Sequence, residues 1–166
     1  MSTPIEPSDA FCIQSADGWL GLGNVAEAAK ELANVSPGLV NHPAVLRVQW
    51  GIRAAEKNWE QARAVAAKLI EIDPDEPLGW VDFSYALHEL KRTAEARDSL
   101  LRVVEKFPIS ATIRYNLACY ECQLGNLPQA KRWLEKAFRL GDRDQMKASA
   151  LADRDLEPLW PELGSK

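Results

Sequence analysis

Four alanines, Ala28, Ala62, Ala96 and Ala130, stand 34 residues apart, and each follows an acid or its amide: Glu27, Gln61, Glu95 and Gln129. Other columns keep the same step. Asn24, Asn58 and Asn126 share one column; Leu32, Ala66, Leu100 and Leu134 share another. Gly23 and Gly125 lie three periods apart, and Pro43 with Pro77 and Pro74 with Pro108 lie one period apart. No insertion breaks the register. A fixed step of this size marks a repeat array, in which each unit is one supersecondary element that buries its apolar face by stacking on its neighbours.

Each unit reads as two helices. The first helices are expected over Asp9–Leu22, Pro43–Glu56, Pro77–Leu90 and Ala111–Leu124. The second are expected over Val25–Val35, Trp59–Ile72, Thr93–Lys106 and Leu127–Leu140. Pro43 and Pro77 suit a first helical position, where the missing N–H has no partner to lose. Gly23 and Gly125 suit the left-handed residue that ends a helix. Asn24, Asn58 and Asn126 then cap the second helices, with the Glu or Gln three residues on placed to reach back. In the third unit Lys91-Arg92 replaces Gly-Asn, so Thr93 is the expected cap. Pro74 and Pro108 stop the second helices.

These residues resemble the tetratricopeptide repeat family from Asp9 to about Asp142. The best-matched slots are Trp80 and Phe83 in the third unit, Trp59, Ala62, Leu69 and Pro74 in the second, and Leu117, Ala118, Gly125, Asn126, Ala130, Leu134 and Ala137 in the fourth. The resemblance implies an all-α, right-handed α-solenoid of four helix–turn–helix repeats. Its expected divisions are a flexible N-terminus (1–8), repeats over 9–142 (about 9–42, 43–76, 77–110 and 111–144), and a C-terminal capping helix and tail (145–166). The family keeps a small residue in one first-helix slot, held here by Ala16, Trp50, Ser84 and Ala118; Trp50 is expected either to spread its helix pair or to rotate outward. Trp19, Trp59, Trp80 and Trp133 fall in columns that pack between helices. The cap follows from Met146, Ala148, Ala150 and Leu151, then Leu156, Leu159, Trp160 and Leu163, which can close the apolar end of a stack.

Charge and composition narrow the function. The net charge of −4 provides no basic stripe for nucleic acid. No apolar run reaches the roughly 20 residues that span a bilayer, and the polar start lacks the pattern of a signal peptide, so a cytoplasmic protein is expected. Three cysteines, Cys12, Cys119 and Cys122, are no disulfide framework. Cys119 and Cys122 form a Cys-x-x-Cys inside a first helix, with His88 one period before Cys122. Two thiols fall short of the four ligands of a structural zinc site. His42 and His88 have no partners of a catalytic triad, and no phosphate loop or nucleophile motif occurs. No enzyme, cofactor or metal is expected.

In the family the concave groove is lined by one face of each first helix. Carried over, that face holds Gln14, Asp17, Arg47, Asp82, Tyr85, His88, Glu89, Thr112, Tyr115, Asn116, Cys119 and Gln123, and spacings of three and four place them on common sides of their helices. Arg47 and Asn116 alone do not make the Lys/Arg/Asn clamp that family members use on a carboxylate. Asp17, Asp82 and Glu89 favour a neutral or basic segment instead. The expected function is a non-catalytic protein–protein interaction scaffold. Self-assembly into a homo-oligomer is the alternative, followed by a Cys/His metal or thiol-redox role. The unbroken register predicts a far-ultraviolet circular dichroism spectrum dominated by helix, and strong strand content would overturn the reading.

Overall fold

The computed structural model describes residues 4–164, and among these the chain is all-α with no strand. The helices are α1 (Pro7–Gly21), α2 (Val25–Ala33), α3 (Pro43–Ala55), α4 (Trp59–Ile72), α5 (Pro77–Glu89), α6 (Thr93–Leu101), α7 (Ala111–Gln123), α8 (Leu127–Leu140), α9 (Arg143–Ala152) and the single turn α10 (Trp160–Leu163). Short 3-10 segments cover Pro37–Leu39 and Arg154–Leu159. The chain divides into two compact units, residues 1–86 and 87–166, with the boundary inside α5. Of the segment expected to be flexible, residues 1–3 lie outside the described residues, as do 165 and 166 of the expected tail.

In the first unit α1 packs on α2 and α3, and α3 packs on α4. Ala16, Ala28, Val48 and Ile52 form a buried cluster edged by Ile13, Leu20, Val25 and Leu32. Gly51 admits Leu20 of α1 so closely that a Cβ there would meet its side chain at 2.5 Å. Helix α1 begins at Pro7, two residues before Asp9, because the Asp9 carboxylate is buried and accepts the Ser36 N–H at 2.8 Å. Trp50 stays in the α3–α4 contact, half-buried on Leu46, Val65 and Leu69, with its indole N–H unpartnered. Trp19 departs from the expected core position and is 38% exposed.

In the second unit α7 packs on both α6 and α8, and α9 with the 3-10 segment Arg154–Leu159 packs on α8. Ile113, Leu117, Leu134, Leu156 and Leu159 are fully buried there. Helix α6 ends at Leu101 rather than running to Lys106. Tighter bonds, Val103 N–H to Leu100 C=O and Lys106 N–H to Val103 C=O, turn the chain so that both Val103 and Val104 are buried.

The turn between paired helices follows one rule in all four repeats. Gly23, Lys57, Lys91 and Gly125, one column, have φ of +78°, +57°, +64° and +82°. Asn24 and Asn58 then accept from Glu27 N–H and Gln61 N–H, as expected of caps. Asn126 occupies the cap position but turns its amide to Glu121 at 2.7 Å. Arg92, not Thr93, is the cap residue of α6; its side chain makes no capping bond to the helix backbone and pairs instead with Glu95 at 2.7 Å.

A left-handed conformation strains a residue with a Cβ, and glycine relieves that strain at some cost in unfolded-chain entropy. Lys57→Gly should therefore raise unfolding stability by roughly 0.5–1 kcal/mol, and Gly125→Ala should lower it by roughly 1–2 kcal/mol. Urea denaturation of both variants checks the opposite signs.

Candidate functional site

The first-helix residues fall into two sets, one in each compact unit. In the second unit, Ser110 caps α7 by accepting the Ile113 N–H, which starts the helix so that Thr112, Tyr115, Asn116, Cys119 and Gln123 follow one another along a side. This side holds the chain's own C-terminal segment. The Tyr115 hydroxyl donates to Asp153 Oδ2 at 3.0 Å, and the Cys119 thiol points to the same oxygen at 3.6 Å. Gln123 Nε2 donates to the Asp155 carbonyl at 2.8 Å. His88 Nε2 lies 2.9 Å from Asp155 Oδ2, and its Nδ1 lies 2.9 Å from the Thr93 hydroxyl. A proton on Nε2 donates to the carboxylate and leaves Nδ1 to accept from Thr93. The His88 ring also leans on Tyr120, with centroids 5.1 Å apart.

The segment is shaped for this contact. Asp153 ends α9, and its Oδ1 accepts the Asp155 N–H at 3.0 Å, so both carboxylates lie on one short 3-10 turn. Leu156 and Leu159 anchor the turn in the core, and Trp160 donates its indole N–H to the Ala150 carbonyl at 2.9 Å.

The electrostatics follow from burial. Burial pushes the Tyr115 hydroxyl up, reinforced by Cys119 and Asp153 beside it. Burial, then Asp153 and Asp155, hold the Cys119 thiol well above its ordinary range, and burial with the same carboxylates raises Cys122. The His88 hydrogen bond holds Asp155 below the usual carboxylate range. Thiols held protonated are poor nucleophiles and poor metal ligands. Among the described residues no three His, Cys, Asp or Glu side chains converge as a metal site.

In the first unit the corresponding side is open. Gln14 and Asp17 are exposed on α1, and Arg47 on α3 reaches Glu76 at 3.7 Å. Tyr85 is 39% exposed and meets Trp59 edge-on at 5.6 Å between ring centroids. Asp82, one turn before Tyr85 on α5, is buried. Its carboxyl is pushed up to about 7 by burial, with the Arg47 guanidinium pulling the other way.

The structure thus brings His88, Tyr115, Cys119 and Gln123 together around the tail, and separately places Arg47, Asp82 and Tyr85 in the first unit. Glu89 and Asn116 are half-buried. Exposed Thr112 shares a cavity of about 210 Å³ with Tyr115, Met146 and Ser149. Sequence reasoning missed Thr93, Asp153 and Trp59 as members of these sets. The signal for Asp153 was the polar stretch Asp153-Arg154-Asp155 between two apolar runs.

With this geometry in hand, comparison with solved structures decides the fold. MamA residues 41 to the end from Desulfovibrio magneticus RS-1 match with a TM-score of 0.70 and 18% identity, over 96% of this chain and 93% of that one. The RS-1 MamA ArsTM double mutant matches with a TM-score of 0.69 and 15% identity, over 84% and 79%. MamA from MSR-1 matches with a TM-score of 0.64 and 19% identity, over 80% and 76%. The chain shares the helical-repeat fold of MamA. No protein-family model matches it, and no curated protein does. Among the described residues no helix is long and apolar enough to cross a membrane.

Asp82 yields a sign-specific prediction. Its native carboxyl binds a proton more tightly than the unfolded chain does, so its charge destabilises the fold increasingly as pH rises from about 4 to 7. Asp82→Asn should be more stable than the parent at pH 8, by roughly 1–3 kcal/mol. That advantage should shrink as pH falls through 7 and vanish near pH 4. Melting across this pH range checks it, and a pH-independent difference would contradict it.

Proposed function

We propose that this protein is a non-catalytic interaction scaffold that holds a segment of another protein against the first-helix faces of its repeats. The observation that carries this reading is the segment Asp153–Asp155 on α7. One such face already grips a turn of chain through side chains that donate to both carboxylates and to a main-chain carbonyl. Side chains on rigid helices that hold main chain are the ordinary means of peptide recognition.

The face open to a partner is then that of the first unit, with Gln14, Asp17, Arg47, Asp82 and Tyr85. Tyr85 provides a rigid ring backed by Trp59, which suits a contact hot spot. Asp82, desolvated by burial with only the Arg47 guanidinium acting against it, gains from a donor that a ligand brings to it. A lysine, arginine or amide donor serves best, so the ligand segment is neutral or basic. The protonated thiols support a non-catalytic role, and the negative net charge supports a protein partner over nucleic acid.

Affinity capture from the native host with mass spectrometry identifies the partner, and titration of that partner against variants tests the site. Tyr85→Ala should weaken binding by roughly 2 kcal/mol, about thirtyfold, with little change in melting. Tyr115→Ala should instead lower the melting temperature, because it releases the tail. Unchanged binding by Tyr85→Ala would place the partner elsewhere.

A further inference from the structure

Helix α1 carries an apolar stripe that nothing covers. Phe11 is 68% exposed, Leu22 is 79% exposed and Trp19 is 38% exposed. At 100° per residue, Phe11, Ser15, Gly18 and Leu22 lie within one narrow sector, with Trp19 at its edge. The later repeats show what such a sector is for. One period after Phe11 stands Val45, then Gly79, then Ile113, all buried. One period after Gly18 stand Ile52, Ala86 and Tyr120, again all buried. Helix α3 lies against α2, and α7 lies against α6, so the preceding hairpin's second helix does the covering. On α1 no described residue covers the corresponding positions, Phe11 and Gly18, which stay exposed.

A second copy of this chain fits the uncovered stripe. The stripe runs large, small, small, large, with spacings of four, three and four, so it reads the same in both directions. Two copies of α1 laid antiparallel about a twofold axis set Phe11 of each against Leu22 of the other and Ser15 against Gly18. A Cβ at Gly18 would meet nothing within 4 Å, so the centre of the stripe is open to close approach. Self-complementarity of this kind is what a twofold interface requires. No like charges confront one another, since Asp17 points to the opposite side and buried Asp9 is engaged by the Ser36 N–H. Head-to-tail stacking has no seat, because α9 and the segment Arg154–Leu159 already lie on α8, the last second helix.

We propose that the stripe Phe11–Ser15–Gly18–Leu22 of α1 and its C-cap, exposed except at half-buried Ser15, is a homodimerisation surface, pairing antiparallel with the same stripe of a second copy. It stands independently of the partner-binding reading, since Gln14, Asp17, Asp82 and Tyr85 are outside the stripe. A contact of one helix per copy falls short of the roughly 800 Å² per partner of a standard interface, so the dimer is weak and reversible.

Sedimentation equilibrium of the full chain from roughly 10 µM to 1 mM tests this. The expected result is a monomer–dimer equilibrium that stops at the dimer. Leu22→Glu, exposed and entering the contact twice, should weaken association at least tenfold with unchanged circular dichroism. The double variant Phe11→Glu/Leu22→Lys should regain dimerisation relative to Leu22→Glu, because opposite charges then meet across the twofold. Four outcomes would overturn the proposal: a monomer throughout, growth beyond the dimer, indifference to Leu22→Glu, or no recovery in the double variant.

Discussion

Everything in this fold depends on how closely the two helices of a hairpin approach. Ala28, Ala62, Ala96 and Ala130 are all 0% exposed, and Ala16, Ser84 and Ala118 are as fully buried. A methyl or hydroxymethyl group at the crossing lets helix backbones come near enough for the flanking larger residues to interlock. Turn geometry is the corollary. Helices packed so tightly must be joined within three residues, and a connection that short takes a left-handed residue at its first or second position. Trp50 shows what the arrangement tolerates: a large ring occupies a small slot, remains half-buried, and leaves its N–H without a partner.

The parts of the structure legible in the sequence were those fixed by this local rule. The starts of α3, α4, α5, α7 and α8 fall at Pro43, Trp59, Pro77, Ala111 and Leu127, where proline and cap signals put them. The rule reached further than its signals, however. Lys57 and Lys91 adopt the same left-handed turn as Gly23 and Gly125, since tertiary packing imposes it whether or not the residue suits it. The early end of α6 was hidden for a related reason. Nothing in Thr93–Lys106 breaks a helix, yet burying both Val103 and Val104 favours tighter turns over another α-turn.

The candidate site was less legible than the fold because its composition is partly tertiary. Periodicity could place Tyr115, Cys119 and Gln123 on one side of α7, but not bring Asp153 across 38 residues to the Tyr115 hydroxyl. Nor could it bring Asp155 across 67 residues to His88. The tail's apolar residues were read as a closing element, and that role is compatible with what its polar residues do. Leu156 and Leu159 occupy the core while the two aspartates turn the opposite way and satisfy the donors of α7 and His88.

That division of labour explains why the two first-helix faces differ chemically. On α7 Tyr115, Cys119 and Gln123 meet oxygens of the tail, and burial, with the closely placed carboxylates, keeps both thiols and the tyrosine protonated. Donors already engaged by the tail have little left to offer an incoming ligand. On α5 the balance is reversed. Asp82 is buried beside an arginine already drawn toward Glu76, and its titration near neutrality records a carboxylate whose solvation has been removed without full replacement. Such a group is a standing cost in the free protein. Under the proposed function, a donor brought by a ligand would recover that cost, so the burial that weakens the fold at this point would strengthen binding there.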